Sequence, residues 1–140
     1  MFEVAPQLLQ DSVILGDFPL SRLLLCKDSN YPWFILVPRR EGVREIFQLS
    51  EDDQRKLIWE SSYLSRQLDH GFNADKMNVA ALGNQVPQLH LHHIVRYKND
   101  AAWPGPIWGK VPLVPYTASE LENMRDRINM LLTKQFESFS

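Results

Sequence analysis

Apolar residues along the chain fall into short runs first, two long stripes later, and one irregular tract between them. Ser12 to Leu15 is a brief apolar run closed by Gly16 and followed by Pro19, which predicts a first strand. Arg22 to Lys27 predicts a second, and the Asp28-Ser29-Asn30 cluster reads as a turn. Trp33 to Val37 is apolar at every position, as a central strand buried on both faces is, and Pro38 stops it. The three together predict an antiparallel meander. Ser50 with Asp53 resembles a capping box and opens a helix to about His70. Leu57, Ile58, Leu64 and Leu68 share one face of it, and Gly71 is a stop signal. Lys76 to Leu82 predicts a fourth strand, Gly83-Asn84 a turn, and Leu89 to Arg96 a fifth strand. Ala101 to Tyr116 carries four prolines and two tryptophans, so it predicts an irregular loop with aromatic anchors. Ser119 with Glu122 marks a capping box for a last helix to about Gln135, striped by Leu121, Met124, Ile128 and Leu131. The expected fold is α+β: a five-stranded, mostly antiparallel sheet with two main helices.

Composition narrows the classes without choosing a function. The 140 residues predict a single domain spanning 1–140, with 44% hydrophobic and 23% charged residues, ordinary values for a globular chain. No apolar run approaches the ~20 residues of a membrane span. The first residues include Glu3 and Asp11 and have no basic segment, so they do not read as a secretory signal. The single cysteine, Cys26, excludes an internal disulfide framework and fits a reducing, cytoplasmic setting. A net charge of −2 gives no general attraction to nucleic acid or membrane, so any phosphate binding must be local.

The candidate chemistry is concentrated in Gly83 to Arg96. Three of the four histidines, His90, His92 and His93, lie there within four positions. Strand alternation puts Gln88, His90 and His92 on one face and Leu89, Leu91 and His93 on the other. Two imidazoles two residues apart are about 7 Å apart along a strand, at ~3.3 Å rise per residue, a span that can grip one phosphate or one metal ion. A neutral imidazole is a competent nucleophile at phosphorus near pH 7. It needs one ring nitrogen free and the other fixed by an acceptor, such as a backbone carbonyl.

The segment resembles the histidine triad family of nucleotide hydrolases and transferases, whose motif is His-x-His-x-His on the strand after a turn. Gly83-Asn84-Gln85-Val86-Pro87 stands at the turn; Gln88, His90 and His92 take the three histidine positions; Trp103-Pro104-Gly105 is similar to a tryptophan-proline element of some branches. The resemblance implies a nucleotidyl-histidine intermediate on His90, formed from a phosphoanhydride or phosphoramidate such as a dinucleoside polyphosphate. It implies that His92 and Asn84 contact the phosphate, with Gln88 beside them. It places Asp28 at the ribose and Asn78 on the substrate side of the preceding strand. Trp33 stands where many members carry another histidine. Trp33, Arg96 and Trp103 are further nucleotide-binding candidates, Arg96 for a polyphosphate tail. A homodimer is also implied. No cofactor is expected, and no metal is needed for this scheme.

Two departures from the motif, Gln88 and Trp33, leave the nucleophile in place but remove two histidines that interact in the family. A nucleotide-binding module without useful catalysis is therefore an alternative. A metal site is another, since His-x-His on a strand suits a first-row ion. It would need a third ligand from Asp28, Asp69 or His70.

Overall fold

The alternation of the strands is realised in one antiparallel sheet with a layer on each face. In the computed structural model, which describes residues 1–139, the elements run α1 (Pro6–Gln10), β1 (Ser12–Asp17), β2 (Ser21–Cys26), β3 (Trp33–Pro38), α2 (Glu51–Phe72), β4 (Lys76–Ala80), β5 (Leu91–Arg96), α3 (Ala118–Leu131) and β6 (Glu137–Ser138). The sheet order is β4-β5-β3-β2-β1-β6.

Cross-strand register explains the apolar run in β3. Ala80, His92, Ile35, Leu24 and Ile14 lie side by side across five strands, and the neighbouring row is Val79, His93, Phe34, Leu25 and Val13. The second row meets the helices. Leu25 and Phe34 pack with Leu64, Leu68 and Phe72 of α2 and Ile128 of α3. The first row meets the chain's opening segment, where Leu24, Ile35 and Val37 pack with Val4 and Leu8. With both faces covered, β3 has no solvated side to mark with polar residues.

Several details differ from the sequence reading. The sheet has six strands, because Glu137 and Ser138 pair with Asp17 and Gly16 beyond the predicted end of β1. Two polar residues carry no periodic signal. A Cβ at Gly16 would strike the Glu137 backbone and the Phe136 ring, so the glycine there admits the sixth strand and does not end the first. Ser50 does cap α2, accepting from the Asp53 amide at 3.1 Å, but the Asp53 carboxylate pairs with Arg40 at 2.7 Å and does not return to the cap. Ile58, assigned to the buried stripe, is 60% exposed, and Glu60 and Ser61 are buried in its stead. The box that opens α3 is Thr117 with Glu120, two residues earlier than Ser119 with Glu122, and the helix ends at Leu131. The helix α1, five residues long with Pro6 in its first turn, is too short to show a period.

Candidate active site

His90 and His92 reach the same cleft by different routes. His92 is on β5, opposite Ile35, so strand geometry fixes its side. His90 precedes β5, in the extended segment that follows the Gly83–Pro87 turn, and its ring swings to 4.9 Å from the His92 ring in an edge-to-face arrangement. Both line a cleft of about 450 Å³ whose other walls include Trp33, Ile35, Trp108, Cys26 and the turn residues Asn84 and Val86. Each histidine is only 6% exposed. His93 points the other way into the helix layer, as strand alternation requires. There its Nδ1 lies 3.1 Å from the Leu91 carbonyl and its Nε2 2.7 Å from the Ser61 hydroxyl.

Hydrogen bonds assign the protons of the two cleft histidines. Nδ1 of His90 lies 2.7 Å from the Gln88 carbonyl, an acceptor only, so Nδ1 carries the proton and Nε2 keeps a lone pair. Nδ1 of His92 receives the indole N–H of Trp33 at 3.0 Å, so Nδ1 is the acceptor and Nε2 carries the proton. Burial, then the nearby His90 and His93, lower the His92 pKa to about 3. Burial also lowers His93 to about 4, against a raising contribution from the Leu91 carbonyl. The His92 and His93 rings are neutral near pH 7.

The remaining sequence candidates divide. Trp33 and Asn84 line the cleft, Trp33 as a half-buried wall and Asn84 exposed on the turn. Gln88 does not line it. Alternation cannot reach back to residue 88 because β5 begins at Leu91, and the Gln88 amide turns to the chain's start. Its Oε1 accepts from the Ala5 N–H and its Nε2 donates to the Glu3 carbonyl, each at 2.8 Å. Asp28 is an Asx-turn anchor, accepting from the Asn30 backbone and side chain at 3.0 and 2.8 Å and from the Val114 amide at 3.3 Å. Arg96 does not extend toward solvent or the cleft. It is 1% exposed, forks onto Asp100 at 2.8 and 3.1 Å, and donates to Asn78 Oδ1 at 2.7 Å. Asn78 is thus occupied on the strand below. The Trp103 ring stacks over the Arg96 guanidinium at 5.6 Å. Asp28, Asn78, Arg96 and Trp103 do not line the cleft.

Sequence reasoning missed the contribution of α1. Gln7, Leu8, Gln10 and Asp11 line the cleft opposite the turn, and nothing in a five-residue helix announces that role. Cys26 also reaches the cleft wall. Burial, with Asp28 and Asp11 nearby, pushes its thiol up to about 12, so it is not a nucleophile near neutral pH. Among the described residues, no three His, Cys, Asp or Glu side chains are grouped to hold a metal ion. No helix among them is long and apolar enough to cross a membrane.

A histidine on a strand with a second histidine just before it, both facing one cleft behind a Gly-Asn turn on an open antiparallel sheet, is the arrangement of a histidine triad protein. The HIT domain model matches residues 7–99, and the chain belongs to that family. It is similar to a histidine triad protein from Marinobacter aquaeolei at 50% identity and a TM-score of 0.94, covering 96% of this chain and 98% of that one. A histidine triad protein from Bradyrhizobium japonicum is 44% identical with a TM-score of 0.91 over 94% and 98% of the two chains. One from Sinorhizobium meliloti is 36% identical with a TM-score of 0.92 over the same shares. A comparison with curated protein sequences finds no match. Family membership supports nucleotide-related hydrolase or transferase chemistry in general.

Proposed function

We propose that this protein cleaves a nucleoside phosphoanhydride or phosphoramidate by way of a nucleotidyl group carried on His90. The observation that supports this most is the bond from His90 Nδ1 to the Gln88 carbonyl, which leaves Nε2 as a lone-pair donor in the cleft. In the first step Nε2 attacks the α-phosphorus, a P–N bond forms, and the bond to the leaving group breaks with its electron pair going to that group. The imidazole is then cationic, and the Gln88 carbonyl stabilises that charge through Nδ1–H. In the second step water attacks phosphorus and gives up a proton to solvent, the P–N bond breaks, and its electron pair returns to Nε2. Covalent catalysis of this kind replaces one hard displacement with two easier ones. The Nε2–H of His92 and the Asn84 amide are the donors assigned to the phosphate oxygens.

Loss of a nucleophile acts on the transition state, whereas ground-state affinity comes from the pocket. His90→Ala should therefore abolish turnover while nucleotide binding persists. Single-turnover reaction with α-labelled nucleotide, quenched in base, should trap label on the wild-type protein and none on His90→Ala. Binding without turnover or adduct in the wild type would leave a nucleotide-binding module, the reading favoured by the departure of Gln88 from the cleft. The homodimer belongs to this proposal too. The open edge of β4, where Val79 is 48% exposed, is a surface it could use, and sedimentation measures it.

A further inference from the structure

We infer that Trp33 is a positioning residue that holds His92 as a neutral Nε2–H donor, so the cleft steadies phosphate oxygens but supplies no proton to the leaving group, and the substrates are phosphoanhydrides and not phosphoramidates. The inference rests on the nucleotidyl-His90 reading and narrows its substrate class.

An indole N–H donates and never accepts. Its bond to His92 Nδ1 at 3.0 Å therefore fixes one tautomer, with the remaining proton on Nε2. Protonating His92 would set a second N–H directly against the Trp33 N–H. The surroundings oppose it as well: the ring is 6% exposed, with Trp108 5.1 Å away and the His90 ring 4.9 Å away. Burial and the neighbouring histidines hold its pKa near 3, so it is not an imidazolium acid at neutral pH. A neutral Nε2–H is a good hydrogen-bond donor and a very poor acid.

The other ionisable groups at the cleft do not fill the gap. His90 commits its one proton to the Gln88 carbonyl and attacks through the other nitrogen. The Cys26 thiol, pushed up to about 12, is a weak acid. Asp11 is an exposed carboxylate at the cleft's margin. His93 lies on the opposite face of the sheet, bonded to Ser61 and Leu91.

Leaving-group chemistry then decides between substrates. When the P–O bond of a phosphoanhydride breaks, the electron pair departs on a phosphate whose last ionisation lies near pH 6, so it leaves as a stable anion. When the P–N bond of an alkyl phosphoramidate breaks, the pair departs on an amine nitrogen that must gain a proton as it leaves. A site without an acid forgoes the general-acid contribution for that class alone.

The test compares a diadenosine polyphosphate with an adenosine 5′-phosphoramidate of an alkylamine on the wild-type protein, alongside nitrogen NMR of ring-labelled histidine. The phosphoramidate should react with kcat/KM about 10²–10⁴-fold lower, the usual worth of a general acid. The His92 ring should show a bare Nδ1 and a protonated Nε2, unchanged from pH 8 to pH 5. In Trp33→Phe the same signals should become a tautomer mixture, a change that a merely structural role for the indole would not produce. Should that variant fail to fold, the wild-type spectrum still decides the tautomer. A protonated Nδ1 on His92 would overturn the role of Trp33. Phosphoramidate turnover within tenfold of the phosphoanhydride, with label trapped on His90, would overturn the substrate class and leave the proposed function standing. Absence of both turnover and adduct with either substrate would remove the underlying reading and this substrate class together.

Discussion

Replacing Arg96 separates a structural from a substrate-binding role for the most deeply buried cation of the chain. Arg96→Met keeps the aliphatic bulk but removes three hydrogen bonds, two to Asp100 and one to Asn78. It also strands Asp100, whose side chain is 4% exposed. Breaking a buried pair by removing one partner costs about 3–5 kcal/mol, because the other charge stays behind unpaired. Asp100 keeps three backbone donors, the N–H groups of Tyr97, Ala102 and Trp103, which places the cost toward the lower end, about 3 kcal/mol. With a urea slope of roughly 2 kcal/mol/M, the midpoint should fall by about 1.5 M, followed by tryptophan fluorescence. Removing both charges, as in Arg96→Met with Asp100→Leu, should not recover the loss, because the N–H groups of Tyr97, Ala102 and Trp103 then lose their acceptor. A midpoint within a few tenths molar of wild type, coupled to a KM that rises with the number of substrate phosphates, would refute this account and return Arg96 to the polyphosphate.

Acid should destabilise the fold through His92 and His93, whose folded pKa values of about 3 and 4 lie below the ~6.5 of an unfolded histidine. The unfolded chain takes up the protons first, so their contribution is complete above pH 6.5. It declines as the pH falls toward 4, by roughly 1.4 kcal/mol per pH unit for each histidine well inside that window. Urea midpoints at pH 7 and pH 5 measure it, and equal midpoints would contradict the buried neutral rings. Thr117→Ala should cost about 1 kcal/mol by removing the α3 cap, while Ser119→Ala, inside the helix, should change thermal stability little.

The parts of the site legible in the sequence are those set by local periodicity. His92 and His93 could be placed on opposite faces because alternation along one strand is a short-range property, whereas His90 meets His92 from the segment just before β5. The same rule failed at Gln88, where the chain is not a strand and a contact to Glu3 and Ala5 decides the side chain. Arg96 looked like a phosphate ligand because a charge after a strand is normally solvated. Its burial depends on Asp100 arriving from the following loop. The bond between Trp33 and His92 joins residues 59 positions apart and exists only through the β3–β5 register, which no local pattern carries. In α3, the sequence reading takes Ser119 with Glu122 as the cap, and the folded chain uses Thr117 with Glu120.

Gln88 has a consequence for how still the His90 ring can be. Its carbonyl sets the His90 ring and its amide clasps the backbone of residues 3 and 5, so one residue joins His90 to the segment before α1. Most of the fold's burial lies on the other side of the sheet, under α2 and α3. The setting of the His90 ring therefore depends on a thin, separately fastened strip whose local opening costs less than unfolding the core. Thermal motion in that strip reaches His90 as wobble of its ring while the sheet behind it remains intact.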